Sequence, residues 1–255
     1  YYSDIESYEF ECSVKNIANN LEYLYLSKVG NEMPSWVYDL KNLKDLIIES
    51  NVKVVSESIG KLKKLEFLRL SDCKIKKIPK SIGELKHLKS LLLSNNQISH
   101  LPDSITNLEN LEYLDISSNN IESLPKDIGN LKNLTTFKHN DTKIKELPDS
   151  FCDLNVQEIE FSSMKNLECL PARIGDMKQI KLIRIEYTSI SELPKSISKL
   201  KDLRKLIFKK SKLKEFPQFL SKLKKIELIN FSGNNITTIP DYIENMYSLK
   251  LLSLA

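Results

Sequence analysis

Apolar and polar residues alternate within a short unit that recurs through most of the chain. In residues 111–133, LEYLDISSNNIESLPKDIGNLKN, Leu114 and Ile116 are interleaved with polar residues, as in a strand with one buried face. A polar turn follows. Leu124-Pro125 then precedes apolar residues at three-residue spacing, which favours a short 3₁₀ or α-helical segment opened by proline. Each unit therefore predicts one strand, one turn and one short helical return.

The Leu-Pro pair measures the period of this unit. Equivalent pairs recur every 23 residues at Ile78, Leu101, Leu124, Leu147, Leu170, Leu193, Phe216 and Ile239, each followed by proline. Two earlier equivalents begin at Met33 and Val55, one residue closer together. The predicted strand starts are Leu21, Leu43, Leu65, Leu88, Leu111, Leu134, Val156, Ile180, Leu203, Ile226 and Leu249. Because one unit cannot bury its apolar edge alone, the repeat predicts eleven stacked parallel strands.

The seventh repeat departs from this spacing. Val156 comes 22 residues after Leu134, and Ile180 comes 24 residues after Val156. The following turn, SSMKNLECLP, is one residue longer than its counterpart SSNNIESLP and carries Met164 where asparagine is usual. The inserted residue predicts a bulge on the rim, interpreted as a tolerated insertion or, as the less favoured alternative, a contact loop.

The pattern LxxLxLxxNxIxxLPxxIxxLxx, over about residues 17–255, resembles the leucine-rich-repeat superfamily. The LPxxI step in a 23-residue repeat is similar to Ras-associated and Scribble-type scaffolds, plant immune-receptor domains and regular bacterial leucine-rich-repeat proteins. This resemblance implies an α/β right-handed solenoid, or horseshoe. Its short parallel strands would line the concave face, and short 3₁₀ or α segments would form the convex face.

The repeat also indicates the domain organisation. Residues 21–255 are expected to form one elongated solenoid that is truncated in its last repeat. Residues 1–20 do not fit the repeat, although acidic and apolar residues alternate there. They are interpreted either as an N-terminal cap along the first strand or as the remnant of a preceding segment.

Short polar residues recur in the turn after each strand. They are Asn51, Asn96, Asn119 and Asn234, with Cys73, Thr142 and Ser211 in equivalent places. A buried amide there would bond to turn N–H and C=O groups that have no partner in the sheet, so the series is interpreted as structural. His139 occupies a strand position that is otherwise apolar, and a hydrogen-bonded core histidine is expected.

Side chains facing out of the strands are the candidates for binding, because the parallel sheet of a solenoid lines its concave side. One end of this surface is aromatic and aliphatic, and charged side chains follow towards the other end. The predicted partner-binding residues are Tyr23, Tyr25, Ile47, Phe67, Arg69, Leu92, Tyr113, Glu158, Glu160, Arg184, Lys205 and Lys209.

Charge is unevenly distributed along the chain. From Lys195 to Lys225 there are twelve basic and two acidic residues, a net charge of +10, whereas the whole chain carries +4. Such a block suits an acidic protein or an anionic membrane. Nucleic acid is disfavoured because the lysines lie on both predicted faces and apolar residues interrupt them. A solvated lysine-rich surface is an equal alternative.

The chain has 41% apolar and 28% charged residues, which is typical of a soluble ordered protein. Its four scattered cysteines, Cys12, Cys73, Cys152 and Cys169, favour reduced thiols and a cytoplasmic location. Secretion into a host cell by a bacterium is the alternative location.

Catalytic motifs are missing from the sequence: there is no HExxH, no GxSxG and no glycine-rich phosphate loop. Glu158 and Glu160 form a carboxylate pair, but they are predicted to lie on an open sheet without an enclosing pocket. We therefore predict no catalytic residue, metal or cofactor.

The favoured function is a monomeric, non-enzymatic protein–protein interaction module that binds a partner on its concave face. One alternative is the substrate-recognition domain of a larger bacterial effector or enzyme. The other is an architectural repeat, or one that binds an anionic surface.

Overall fold

A computed structural model describes residues 19–254. The strands are β1 Tyr23–Ser27, β2 Asp45–Glu49, β3 Phe67–Arg69, β4 Ser90–Leu92, β5 Tyr113–Asp115, β6 Thr136–Lys138, β7 Glu158–Ser162, β8 Leu182–Glu186, β9 Lys205–Lys209, β10 Leu228–Asn230 and β11 Leu251–Ser253. The 3₁₀ segments are Ser35–Asp39, Glu57–Lys61, Lys80–Glu84, Asp103–Asn107, Ile128–Asn130, Asp149–Asp153, Ile174–Asp176, Lys195–Lys199, Gln218–Lys222 and Asp241–Asn245. The predicted strand–turn–helix repeat is confirmed, and the proposed N-terminal cap falls almost entirely outside the described residues.

The strands follow one another in chain order, and all neighbouring strands except β6 and β7 pair in parallel, which confirms the predicted solenoid. Pairing repeats the sequence period, since Ser90 pairs with Tyr113, and Tyr113 with Thr136. Every strand therefore presents the same positions to the same face.

The core runs along the solenoid between the strands and the 3₁₀ segments. Leu114 and Ile116 of one repeat are fully buried, as are Ile121 and Ile128 in its return. The 3₁₀ segments pack closely because glycine follows the buried isoleucine in several repeats. A Cβ at Gly129 would collide with the carbonyl oxygen of Ser150 in the next repeat, so any larger residue would force the repeats apart.

The polar residues of the turns form the expected buried series in the middle of the chain. Asn119 Nδ2 donates to the carbonyls of Leu93 and Ile116 at 2.9 and 3.0 Å, and its Oδ1 accepts from Ile98 N–H at 3.0 Å. Asn96 makes the equivalent bonds one repeat earlier.

Asn51 does not belong to this series, and its assignment there was wrong. The turn after β2 is one residue shorter than in later repeats, so Val52 takes the buried apolar position and Asn51 is exposed. Ser50 fills the polar position instead, and its hydroxyl donates to Val29 O.

The sheet is interrupted between β6 and β7. Strands β1–β6 form one parallel sheet and β7–β11 another. In most repeats a Leu-x-x-Leu turn leads into the strand, as at Leu131 and Leu134, where Leu134 N–H donates to Leu131 O at 3.1 Å. The seventh repeat has only Leu154-Asn155-Val156. Leu154 is consequently extended, with ψ 148° against 68° at Leu131, and the chain enters β7 along a different path.

The compensating insertion lies after β7. Leu167 N–H donates to Met164 O at 3.0 Å, which closes an additional turn on the rim, and the Met164 side chain is fully buried. The repeat regains its period there, so β8 pairs with β7 and β9 in regular register.

His139 lies in the core beside this interruption, but it is not hydrogen-bonded as expected. Its ring is fully buried and stacks on Phe161, with ring centres 5.2 Å apart, and it meets Phe137 edge to face at 4.7 Å. Neither ring nitrogen has a hydrogen-bond partner within residues 19–254. Burial lowers the pKa of His139 from 6.5 to about 4, so the ring packs as a neutral aromatic group.

Candidate functional site

The predicted partner-binding residues lie on one face of the two sheets. Tyr23, Asp45, Phe67, Ser90 and Tyr113 follow one another in register across β1–β5. A second row contains Tyr25, Ile47, Arg69, Leu92 and Asp115. The structure therefore brings the aromatic and aliphatic candidates together, as neighbours on consecutive strands.

The exposed fraction of these side chains is highest on β1 and lower on the strands that follow. Tyr23 and Tyr25 are 55% and 46% exposed, whereas Phe67, Leu92 and Tyr113 are half-buried among their neighbours. Tyrosines of this kind can cover a partner with apolar area while keeping a polar hydroxyl. This end of the sheet can therefore exclude water from an interface with a partner without exposing a large contiguous apolar patch.

Polar contacts hold the outer part of this group in place. Tyr25 OH donates to Glu49 Oε2 at 2.8 Å, and this hydrogen bond raises the pKa of Tyr25. Arg69 Nη2 lies 3.7 Å from Glu49 Oε1, while its buried Nε has no hydrogen-bond partner in the described part of the chain. Glu49 was not among the predicted residues, although it orients two of them.

The acidic candidates lie beside the interruption of the sheet. Glu158 and Glu160 are exposed on β7, next to a hollow of about 620 Å³ that extends from β6 to β8. The hollow is lined by Thr135, Thr136, Phe137, Lys138, Asn140, Asn155, Gln157, Glu158, Glu160, Gln179 and Leu182. Both carboxylates are exposed on the sheet as predicted, and the hollow lies beside them without enclosing them. The shortened turn at Asn155, visible in the sequence, is the feature that opens the hollow.

At the basic end, two of the three basic candidates are already paired. Arg184 Nη1 donates to Glu186 Oε1 at 2.9 Å, and Lys209 Nζ lies 4.0 Å from the same oxygen. Lys205 is exposed on β9 and has no ion-pair partner within residues 19–254. The basic end is thus less positive on its concave side than the sequence alone suggests.

An additional exposed pair lies on the rim next to these strands. Lys210 Nζ is 4.8 Å from the ring centre of Tyr187 and donates to its hydroxyl at 2.6 Å. This contact raises the pKa of Lys210 and holds the exposed tyrosine in position. Neither residue was predicted, because the pairing depends on the conformation of the turns after β8 and β9.

Metal-ligating side chains and cysteine thiols are the remaining groups with potential chemical reactivity. Within residues 19–254, no group of histidine, cysteine and acidic side chains could hold a metal ion. Cys73, Cys152 and Cys169 are free thiols. Burial raises the pKa of Cys152 to about 12, which keeps it in the unreactive thiol form. None of the helices in the described part of the chain is long and apolar enough to cross a membrane.

Several solved structures are similar to this chain. A leucine-rich-repeat protein of Leptospira interrogans is 25% identical, with a TM-score of 0.53, over 92% of this chain and 78% of the other. The plant peptide hormone receptor RGFR1, in complex with RGF2, is 27% identical, with a TM-score of 0.72, over 94% of this chain and 45% of the receptor chain. An internalin from Listeria monocytogenes shares the fold, with a TM-score of 0.73 and 16% identity, over 94% of this chain and 68% of the other.

A search of curated proteins finds no match. The family described as a leucine-rich repeat region matches residues 54–119 and 156–255, and a single leucine-rich repeat matches residues 110–131. These matches cover more than half of the chain and follow the repeat seen in the structure. The chain belongs to the leucine-rich-repeat family.

Proposed function

We propose that this protein is a recognition module that binds a protein or peptide partner on the concave face of its sheets and performs no chemistry itself. The observation that carries the proposal is the row of neighbouring aromatic and aliphatic side chains on β1–β5. Tyr23 and Tyr25 are largely exposed on β1, and Phe67 and Tyr113 continue the same face. Aromatic side chains held on a rigid scaffold are the usual centres of binding energy in protein interfaces.

The comparisons support the general class of function. The plant receptor is solved in complex with RGF2, so a related solenoid serves to bind a partner. Leucine-rich repeats in general are binding modules rather than enzymes, and the buried thiol of Cys152 and the neutral core histidine offer no alternative chemistry. The proposed role is the same if the solenoid is the recognition part of a larger protein.

The experiment begins with affinity capture of a partner and continues with binding kinetics by surface plasmon resonance. Tyr23→Ala, Phe67→Ala and Tyr113→Ala each remove contact area from the proposed face. We expect a true hot spot to lose about 2 kcal/mol or more, chiefly through faster dissociation.

Tyr247→Ala is the matched control, because Tyr247 is 88% exposed and follows the last 3₁₀ segment rather than a strand. It should leave the dissociation rate unchanged. The proposal is wrong if the three concave variants bind normally, or if Tyr247→Ala or Lys199→Glu on a 3₁₀ segment abolishes binding.

A further inference from the structure

We propose that the hollow between β6 and β7 receives a guanidinium side chain, an arginine of the partner that lies across the concave face. This inference rests on the proposed function and adds to it the chemistry of one contact. Three features support it: an open backbone acceptor, two carboxylates that form no ion pair within residues 19–254, and a partly polar hollow large enough for a side chain.

The open acceptor is the carbonyl of Thr135. Elsewhere the equivalent carbonyl accepts two backbone N–H groups from the next repeat; for example, Glu112 O accepts from Thr135 at 2.9 Å and Thr136 at 3.1 Å. Gln157 O does the same with Lys181 and Leu182. Within residues 19–254, Thr135 O receives no backbone N–H, because the chain enters β7 without pairing to β6. A carbonyl at a cavity wall without its usual donors favours an incoming N–H group.

Neither carboxylate lies within ion-pair distance of a cationic side chain in the described residues. Glu158 makes no ion pair, and Glu160 accepts only from Ser162 Oγ, at 2.9 Å. Arg184 is the register partner of Glu160 on β8, but its guanidinium is bonded to Glu186.

The lysine on the opposite side of the hollow is also engaged elsewhere. Lys138 Nζ lies 5.5 Å from the ring centre of Tyr113 on β5, and the interaction with that side chain raises the pKa of Lys138, with smaller contributions from the charges of Asp115 and Glu160. Its ammonium group is therefore held over the neighbouring strand. The carboxylates of Glu158 and Glu160 remain the dominant charges on the β7 side.

A guanidinium group matches this arrangement of acceptors. It is planar, always charged and carries five N–H donors with no acceptor, so it can bond to a carboxylate and a carbonyl together. Asn155 and Gln179, whose amide groups can accept hydrogen bonds, also line the hollow, and Leu182 can pack against an aliphatic stem. A hollow of about 620 Å³ is in the usual range for a small binding site.

The test is nuclear magnetic resonance titration of the isotope-labelled chain with a defined probe, acetyl-Gly-Arg-Gly-amide. The control peptide replaces arginine by citrulline, which has the same shape but no charge. We expect saturable shifts of the backbone amides around residues 135–140 and 155–160 for the arginine peptide, with a dissociation constant of about 1 mM, as suits a single side chain. Absence of saturation, or equal shifts with the citrulline peptide, overturns the proposal.

The double variant Glu158→Gln/Glu160→Gln removes both charges while keeping the shape. It should weaken the arginine peptide about tenfold or more. Glu192→Gln/Glu215→Gln is the matched control, because these exposed carboxylates line a different hollow at the Leu-Pro turns and carry the same total charge. If both double variants weaken binding of the arginine peptide equally, the effect is one of general charge and a specific site in the hollow is contradicted.

The same variants separate this proposal from the proposed function. If a captured partner needs Tyr23 and Tyr113 but binds normally to Glu158→Gln/Glu160→Gln, concave recognition stands and the arginine contact is wrong. If the partner docks on the convex face, the proposed function fails, whereas the peptide titration still reports on the hollow itself.

Discussion

At the scale of single residues, the asparagines of the turns show that the environment of a residue, rather than its place in a repeat, decides its contribution. Asn119 is buried and satisfies three backbone groups at 2.9 to 3.0 Å. Asn51 stands at the same distance from the start of its strand and is exposed. The two amides therefore form a natural pair for comparison.

We expect Asn119→Ala to lower the free energy of unfolding by about 1 to 3 kcal/mol, because it leaves buried backbone groups without partners. Asn51→Ala should change it by less than about 0.5 kcal/mol, as is usual for an exposed site. Chemical denaturation of both variants measures the difference. Equal effects would show that the buried amide does not stabilise the turn.

His139 leads to a prediction about pH. Its pKa is lowered to about 4 in the folded protein by burial, so the unfolded chain binds more protons between pH 6.5 and 4. The stability associated with the neutral ring is complete above pH 6.5 and is lost as the pH falls through this range. At 1.36 kcal/mol per unit of pKa, the loss is about 3 kcal/mol.

His139→Leu, which restores the apolar residue usual at this position, should remove that loss. We expect the difference in unfolding free energy between the variant and the wild type to grow by about 3 kcal/mol in favour of the variant between pH 7 and pH 4. Between pH 7 and pH 8 the difference should stay constant. Parallel stability curves down to pH 4 would contradict the neutral buried histidine.

At the scale of the elements, the strands could be predicted from the sequence and the break between them could not. The Leu-Pro period aligned Tyr113 with Thr136 because stacked repeats must keep the same side chains in the core. The one-residue slip before Val156 was also visible. The loss of pairing between β6 and β7 was not visible, because it depends on how Leu154 redirects the chain. The ψ angle of Leu154 is decided by tertiary packing.

Hydrogen exchange tests this break directly. The N–H groups of Glu112 and Tyr113 both donate to Lys89 O, at 2.8 and 3.0 Å. The equivalent groups of Gln157 and Glu158 have no backbone acceptor in the described part of the chain. We expect the amides of Gln157 and Glu158 to exchange much faster than those of Glu112 and Tyr113. Equal protection at the two places would show that β6 and β7 are paired in solution.

At the scale of the whole molecule, the basic block counted in the sequence is partly neutralised on the concave face by ion pairs between side chains. The run from Lys195 to Lys225 carries a net charge of +10. On the concave face, Glu186 compensates part of the charge of Arg184 and Lys209. These ion pairs depend on the conformations of half-buried side chains, which the spacing of residues in the sequence does not specify. Among Arg184, Lys205 and Lys209 at the basic end, Lys205 is the one with no ion-pair partner within residues 19–254.

Because Lys205 has no ion-pair partner within residues 19–254, it leads to a kinetic prediction for a partner that places an acidic segment at the basic end. Long-range attraction acts on the association rate, so Lys205→Glu should slow association several-fold at low salt and flatten its salt dependence, with little effect on dissociation. Lys222→Glu makes the same change of charge at the end of a 3₁₀ segment and is the matched control. Surface plasmon resonance at two salt concentrations measures both. If Lys222→Glu slows association as much as Lys205→Glu, the net charge of the protein attracts the partner and the concave position of Lys205 has no special role.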